Sequence, residues 1–191
     1  MSQVVDDSLE AGREAARKRA WRDAYELLRS SDDGERLTGD DLQQLAESAW
    51  WTGHLDEAVA ARERAYAAFV QAGDTERAAM LAGALAMDNF GRGAASVGAG
   101  WLARAERLLG SDTETAGHGH VALVRGLGAK DMGELDVAEA EFSRAHEIGA
   151  RFGDRSLEAM ALVFRGMVLV ARGEVTEGLA LLDEATAAAV G

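Results

Sequence analysis

The sequence predicts an all-α solenoid of about five antiparallel helical hairpins, and three observations carry that expectation. The slots held by Gly133, Leu135, Ala138, Phe142 and Ala145 are refilled forty residues later by Gly173, Val175, Gly178, Leu182 and Ala185. Forty residues earlier they hold Gly93, Ala95, Gly98, Leu102 and Ala105, and forty before that Gly53, Leu55, Ala58, Arg62 and Ala65. A less faithful copy, 34 residues further upstream, has Arg19, Trp21, Ala24, Leu28 and Ser31. A fixed period of this size is the mark of stacked supersecondary units. The second observation is a small residue seven places before each turn slot: Gly12, Ala46, Ala86, Gly126 and Gly166. Two helices that cross closely need a small residue at the contact. The third is punctuation, since Gly73-Asp74 and Gly153-Asp154 each pair a helix-ending Gly with an N-cap for the helix that follows.

Taken in order, Met1 to Asp7 reads as a short lead, and the first helix starts near Ser8 and runs through Arg17, Lys18 and Arg19 to a turn before Trp21. The second covers Trp21 to Ser30. Ser31 to Gly39 mixes turn formers with charge and reads as a loop. Thr38 three residues before Asp41 forms an acidic capping box, opening a helix that ends at the turn Gly53. A long helix follows from Leu55 to about Ala72. Ser111 with Glu114 reads as a second capping box at the start of the fourth repeat. About ten helices result, in one repeat domain spanning 1–191 with repeats near 5–38, 39–78, 79–118, 119–158 and 159–191.

The spacing of small residue, turn Gly, large apolar residue, Ala, aromatic or large residue and Ala resembles the tetratricopeptide repeat, from about residue 5 to 190. That resemblance implies a right-handed superhelix in which the inner face of each first helix (helix A) lines a concave groove. Two features depart from it: a period of 34 then 40, and no Pro anywhere in the chain. Six extra residues per hairpin add about 9 Å of helix, and the expectation is longer helices instead of longer loops. Ala49–Phe69 and Arg172–Ala185 further resemble the repeat region of large actinobacterial LuxR-type transcriptional regulators. Those regulators follow their repeats with a helix-turn-helix, which does not occur before Gly191. The resemblance implies a regulatory or sensing module without a DNA-reading part.

Bulk properties narrow the function. The net charge of −13 is spread evenly, with 11 basic and 18 acidic residues in 1–95 and 9 and 15 in 96–191. A phosphate backbone would repel such a chain, so direct nucleic-acid binding is not expected. There is no long apolar run and no signal-peptide pattern at Met1 to Glu10, which leads to the expectation of no membrane contact and a cytoplasmic location. The absence of cysteine agrees with a reducing compartment.

No constellation with catalytic chemistry emerges, and neither an enzyme nor a cofactor is expected. A phosphate loop needs Lys and a hydroxyl residue directly after its last Gly, whereas in Gly91 to Gly100 Gly98 is followed by Ala99-Gly100, and the repeat accounts for Gly93 as turn and Gly98 as crossing residue. His118 and His120 lie two apart, the wrong spacing for one helix face to hold a metal. Arg125 and Arg165, one period apart, either hold an anionic group jointly or pair internally with carboxylates of the second helices (helices B), the latter favoured because unpaired buried charge is costly.

The strongest functional expectation is the helix A stripe. It runs Asp40, Gln43, Glu47, Trp50 in the second repeat, Met80, Gly83, Met87, Phe90 in the third, His120, Leu123, Leu127, Lys130 in the fourth and Met160, Val163, Met167, Val170 in the fifth. Trp50, Met87, Phe90, Leu123, Leu127, Phe164 and Met167 are the expected groove residues, with Arg125 and Arg165 as possible anion contacts. A tighter superhelix would make the same stripe core. The partner expected is a protein or peptide in a regulatory, transcription-associated setting; the alternative is an apolar or anionic small molecule sensed in the same groove. Self-association or a continuation is expected at the C-terminal helix, where Leu181, Leu182, Ala185 and Ala189 have no later helix to cover them.

Overall fold

The computed structural model describes residues 2–34 and 36–190, with side chains described for 7–34 and 36–187. Ten α-helices and no strand occur among the described residues: α1 (Ser2–Arg17), α2 (Trp21–Ser30), α3 (Gly39–Trp51), α4 (Leu55–Ala72), α5 (Thr75–Gly91), α6 (Ala95–Leu109), α7 (Ala116–Asp131), α8 (Leu135–Phe152), α9 (Arg155–Ala171) and α10 (Val175–Val190). The extra residues of the forty-residue period went into helix, since α4 and α8 each have 18 residues and α5 and α9 each 17. None of these helices is long and apolar enough to cross a membrane.

Three boundaries show how local sequence sets the elements. Thr38 caps α3 as its spacing predicted: its Oγ1 accepts from Asp41 N–H, while Asp41 Oδ2 accepts from Thr38 N–H at 3.0 Å. The first helix begins at Ser2 and not near Ser8, because Ser2 to Asp7 contains no Gly or Pro to interrupt it. The box expected at Ser111 and Glu114 is displaced. Thr115 precedes α7 and its N–H donates to Nδ1 of His118 at 3.1 Å, so the imidazole fills the place a Glu or Gln usually takes. Glu114 turns instead to Arg151 and to Arg144, 3.9 Å away.

Each hairpin closes on the same turn. Gly53, Gly93, Gly133 and Gly173 have φ between 74° and 88°, and the residue after each donates its N–H five residues back, as in Glu134 to Ala129 O at 2.9 Å. In the first hairpin that slot belongs to Arg19, which adopts φ 57° and closes the same bond, from Ala20 N–H to Ala15 O at 2.9 Å. The backbone path therefore does not depend on glycine at this slot.

The chain groups into two compact units, residues 2–81 and 82–190, dividing inside α5. In the first unit α1 packs on α2, α2 on α3 and α3 on α4. Ala15, Ala16, Ala24, Leu28, Ala46, Ala49, Ala58, Ala65 and Phe69 are buried there. Buried Asp41 accepts from Arg13 at 2.7 and 2.9 Å and from Thr38 Oγ1 at 2.7 Å, tying α1 to α3. In the second unit, Ala122, Leu123, Ala129, Phe142, Ala145, Leu157, Ala161 and Val168 make one cluster across α7, α8 and α9. The expected crossing residues lie at the tight contacts: a Cβ on Gly126 would meet the Phe142 ring at 2.5 Å, and one on Gly166 would meet Gly178 O at 2.8 Å.

Candidate interaction site

The expected groove residues divide between the two units. Trp50, in the first, is 43% exposed near the C-terminal end of α3 and meets Trp51 edge-on at 4.9 Å. Trp51 in turn stacks on Trp21 at 6.1 Å, so Trp50 belongs to an aromatic patch that the stripe argument did not find. The signal was available in the adjacent tryptophans and in the hairpin register, which puts partly buried Trp21 at the outset of a second helix, where Leu55 and Val175 are exposed.

In the second unit the stripe behaves differently from repeat to repeat. Leu123 is 1% exposed and belongs to the core cluster, which corrects its assignment to a groove. Leu127 and Phe164 are partly buried and pack against the same cluster, with the Phe164 ring stacked on Phe142 at 5.4 Å. Phe90 is partly buried, its ring filling the space that a Cβ on Gly98 would need, at 2.7 Å. Met87 is half-buried. On α9, by contrast, Met160, Met167 and Val170 are exposed at 36%, 45% and 37%. The difference has a physical source. Leu123 shares its cluster with Leu157, Ala161 and Val168 of α9, and His120 Nε2 lies 2.8 Å from Asp154 Oδ2 at the start of α9. The following helix covers the stripe of α7.

The two arginines are engaged within the unit. Arg125 bonds Glu106 of α6 at 2.8 Å and lies 3.8 Å from Glu141 of α8. Arg165 lies 3.9 Å from Glu139 of α8, and its buried Nε has no hydrogen-bond partner. Burial pushes the Asp154 carboxyl up, but the Leu157 N–H at 3.0 Å and His120 outweigh it and hold its pKa below the usual value. A cavity of about 270 Å³ lies beside Arg125, lined by Glu106, Leu109, Glu114, His118, Val121 and Arg144 among others. Its two arginines face two glutamates, so its lining offers matched charge. His118 is held by the Thr115 N–H on one ring nitrogen and by Gly110 O, 3.1 Å from the other. Among the described residues no group of three or more His, Asp or Glu side chains is placed to hold a metal.

At the C-terminal helix, Ala185 is buried, unlike its expected exposure, because it shares with buried Gly178 the side of α10 that faces α9. Leu181 and Leu182 are half-buried, and Ala189 lies outside the described side chains. Among the described residues of α10, the large apolar side chains left exposed are Val175 at 48% and Leu179 at 52%.

No family model matches the chain. No curated protein matches it either. Solved structures do. BtubC (BKLC) from P. vanneervenii superposes with a TM-score of 0.64 at 17% identity, covering 98% of this chain and 89% of that one. A putative kinesin light chain with nearly identical TPR-like repeats from Podosopora anserina gives 0.61 at 16%, covering 96% and 93%. MamA of AMB-1 gives 0.58 at 16%, covering 100% and 94%. At these identities the likeness is one of fold, and the fold is that of tetratricopeptide-like helical repeats.

Proposed function

We propose that this chain is a non-catalytic scaffold that binds a protein or peptide partner through apolar helix surface in its second unit. The observation that carries the reading is the row Met160, Met167 and Val170 along α9, left exposed on a chain of net charge −13. Methionine side chains are unbranched and adapt their shape, which suits a surface that receives another polypeptide. A contiguous apolar row on an otherwise charged protein marks an interaction site. The likeness of Ala49–Phe69 and Arg172–Ala185 to the repeats of LuxR-type regulators supports a regulatory setting for that partner.

The test is a selection of displayed helical peptides on the wild-type chain, with counter-selection on Met167→Lys. Enriched sequences should carry apolar residues at i, i+3 or i+4 and i+7, and lose binding to Met167→Lys at least tenfold while the thermal midpoint stays unchanged. A selection that yields only peptides indifferent to Met167→Lys overturns the reading.

A further inference from the structure

The aromatic patch of the first unit plays no part in the α9 reading. Trp50 and Trp51 end α3 with their ring planes at 88° and their centroids 4.9 Å apart, and Trp21 lies nearly parallel to Trp51, at 12° and 6.1 Å. Two indoles at a right angle make a corner walled by two π faces, and these two residues are 43% and 57% exposed. The face of an indole attracts a cation more strongly than that of any other aromatic side chain. Elsewhere the chain fills such faces itself: Arg29 stands over Tyr25, Arg77 over Phe69 and Arg104 over Trp101, at 5.7, 4.2 and 4.6 Å from the ring centres. Among the described residues no Lys or Arg stands over Trp21, Trp50 or Trp51.

The charges around the corner favour a cation as well. Glu47 lies three residues before Trp50 and four before Trp51, one turn back on the same helix face, and it is exposed with no ion pair among the described residues. The patch also sits at the C-terminal end of α3, where the helix dipole is negative, and the last turn of α3 holds no basic residue to answer it. Hydrogen bonding decides which cation fits. A lysine ammonium brings three N–H donors and a guanidinium five, and an indole corner with one carboxylate cannot replace the water those donors give up. A quaternary ammonium has no N–H to satisfy and keeps its charge. We propose that the Trp50–Trp51 corner, with Glu47 beside it, binds a quaternary ammonium group, carried either by a trimethylated lysine of another protein or by a small molecule such as choline. A second copy of this chain suits the corner poorly, because two chains of net charge −13 repel each other. The site lies apart from the α9 row and stands or falls without it.

Three fluorescent peptides of otherwise neutral sequence test it: one carries trimethyllysine, one unmodified lysine, and one the neutral carbon isostere with a tert-butyl group in place of trimethylammonium. Anisotropy titrations should show the trimethyllysine peptide binding at least tenfold tighter than the isostere and several times tighter than the lysine peptide. Trp51→Ala should weaken it at least tenfold and Glu47→Gln severalfold, both with an unchanged thermal midpoint. The equal charge change Glu63→Gln, at an exposed position of α4, and Trp101→Ala in the second unit should have little effect, which excludes attraction to acidic surface or to tryptophan in general. Choline added as competitor separates the two sources. Displacement by choline at the peptide's own affinity assigns the group to a small molecule, a peptide at least tenfold tighter than choline assigns it to a protein, and either result supports the site. Equal binding of the isostere and the trimethyllysine peptide, binding indifferent to Trp51→Ala, or no binding by any probe overturns the proposal. A wild-type dimer in sedimentation that Trp51→Ala dissociates also overturns it, by giving the patch to a second copy.

Discussion

Arg19 shows how far the repeat imposes its backbone on a residue that does not suit it. A side chain in the left-handed region costs about 1–2 kcal/mol per residue, and the four equivalent turns avoid that cost with glycine. Arg19→Gly removes the strain but frees the unfolded chain, so the expected net gain is about 0.5–1 kcal/mol, read as a rise in the urea midpoint at unchanged m. The same change at a strain-free position would destabilise. Asp41 is the opposite case, a buried charge whose partners are all present. The Arg13 guanidinium holds its carboxyl below the usual carboxylate range, with the Thr38 hydroxyl and N–H adding to the effect against burial. Because the native pKa is the lower one, this stabilisation is complete above the unfolded value of about 4 and disappears as pH falls through the native value. Asp41→Asn should therefore cost about 3 kcal/mol at pH 7 and make the acid side of the stability curve shallower, measured by denaturant titration from pH 7 to 2.

At the scale of the helix, the turns and crossings were legible because each is fixed by residues within its own hairpin. Thr38 and Asp41, the limits of α2 and α4, and the close approach at Gly126 follow from local register alone. The start of α7 was misplaced by four residues because Ser111 and Thr115 both offer a capping hydroxyl and only tertiary contacts, Glu114 with Arg151, choose between them. Leu123 was unreadable for a similar reason: its burial is decided by the hairpin that follows, while its counterpart Val163 has the same pattern around it. Two glycines in α6 test the crossing argument at matched chemistry. Gly98→Ala would put a methyl 2.7 Å from the Phe90 ring and is expected to cost about 1–3 kcal/mol, whereas Gly100→Ala meets only the end of Arg104 at 3.9 Å and should gain about 0.5–1 kcal/mol of helix propensity. Equal effects in thermal unfolding would mean that α5 and α6 do not cross there.

Across the whole molecule, burial is uneven in a way the even charge distribution does not hint at. Eight residues of α7 are buried, and α8 and α9 contribute Phe142, Ile148, Leu157 and Val168 to the interior, but α6 buries only Gly98 and Ala105. Two glycines inside α6 weaken it by up to about 1 kcal/mol each relative to alanine, on top of this thin interior. In repeat proteins stability is a sum of each repeat and its neighbours, so opening should begin where both contributions are smallest. Native-state hydrogen exchange is expected to rank the amides of α6 below those of α8 and α9, which carry one glycine each, by about 1 kcal/mol of opening free energy for the extra glycine, on top of their deeper burial. Gly100→Ala should narrow that gap by raising protection in α6 while leaving α8 unchanged. If α6 and α8 exchange with one common free energy in both proteins, opening is global, and the glycine-rich hairpin is no weaker than the others.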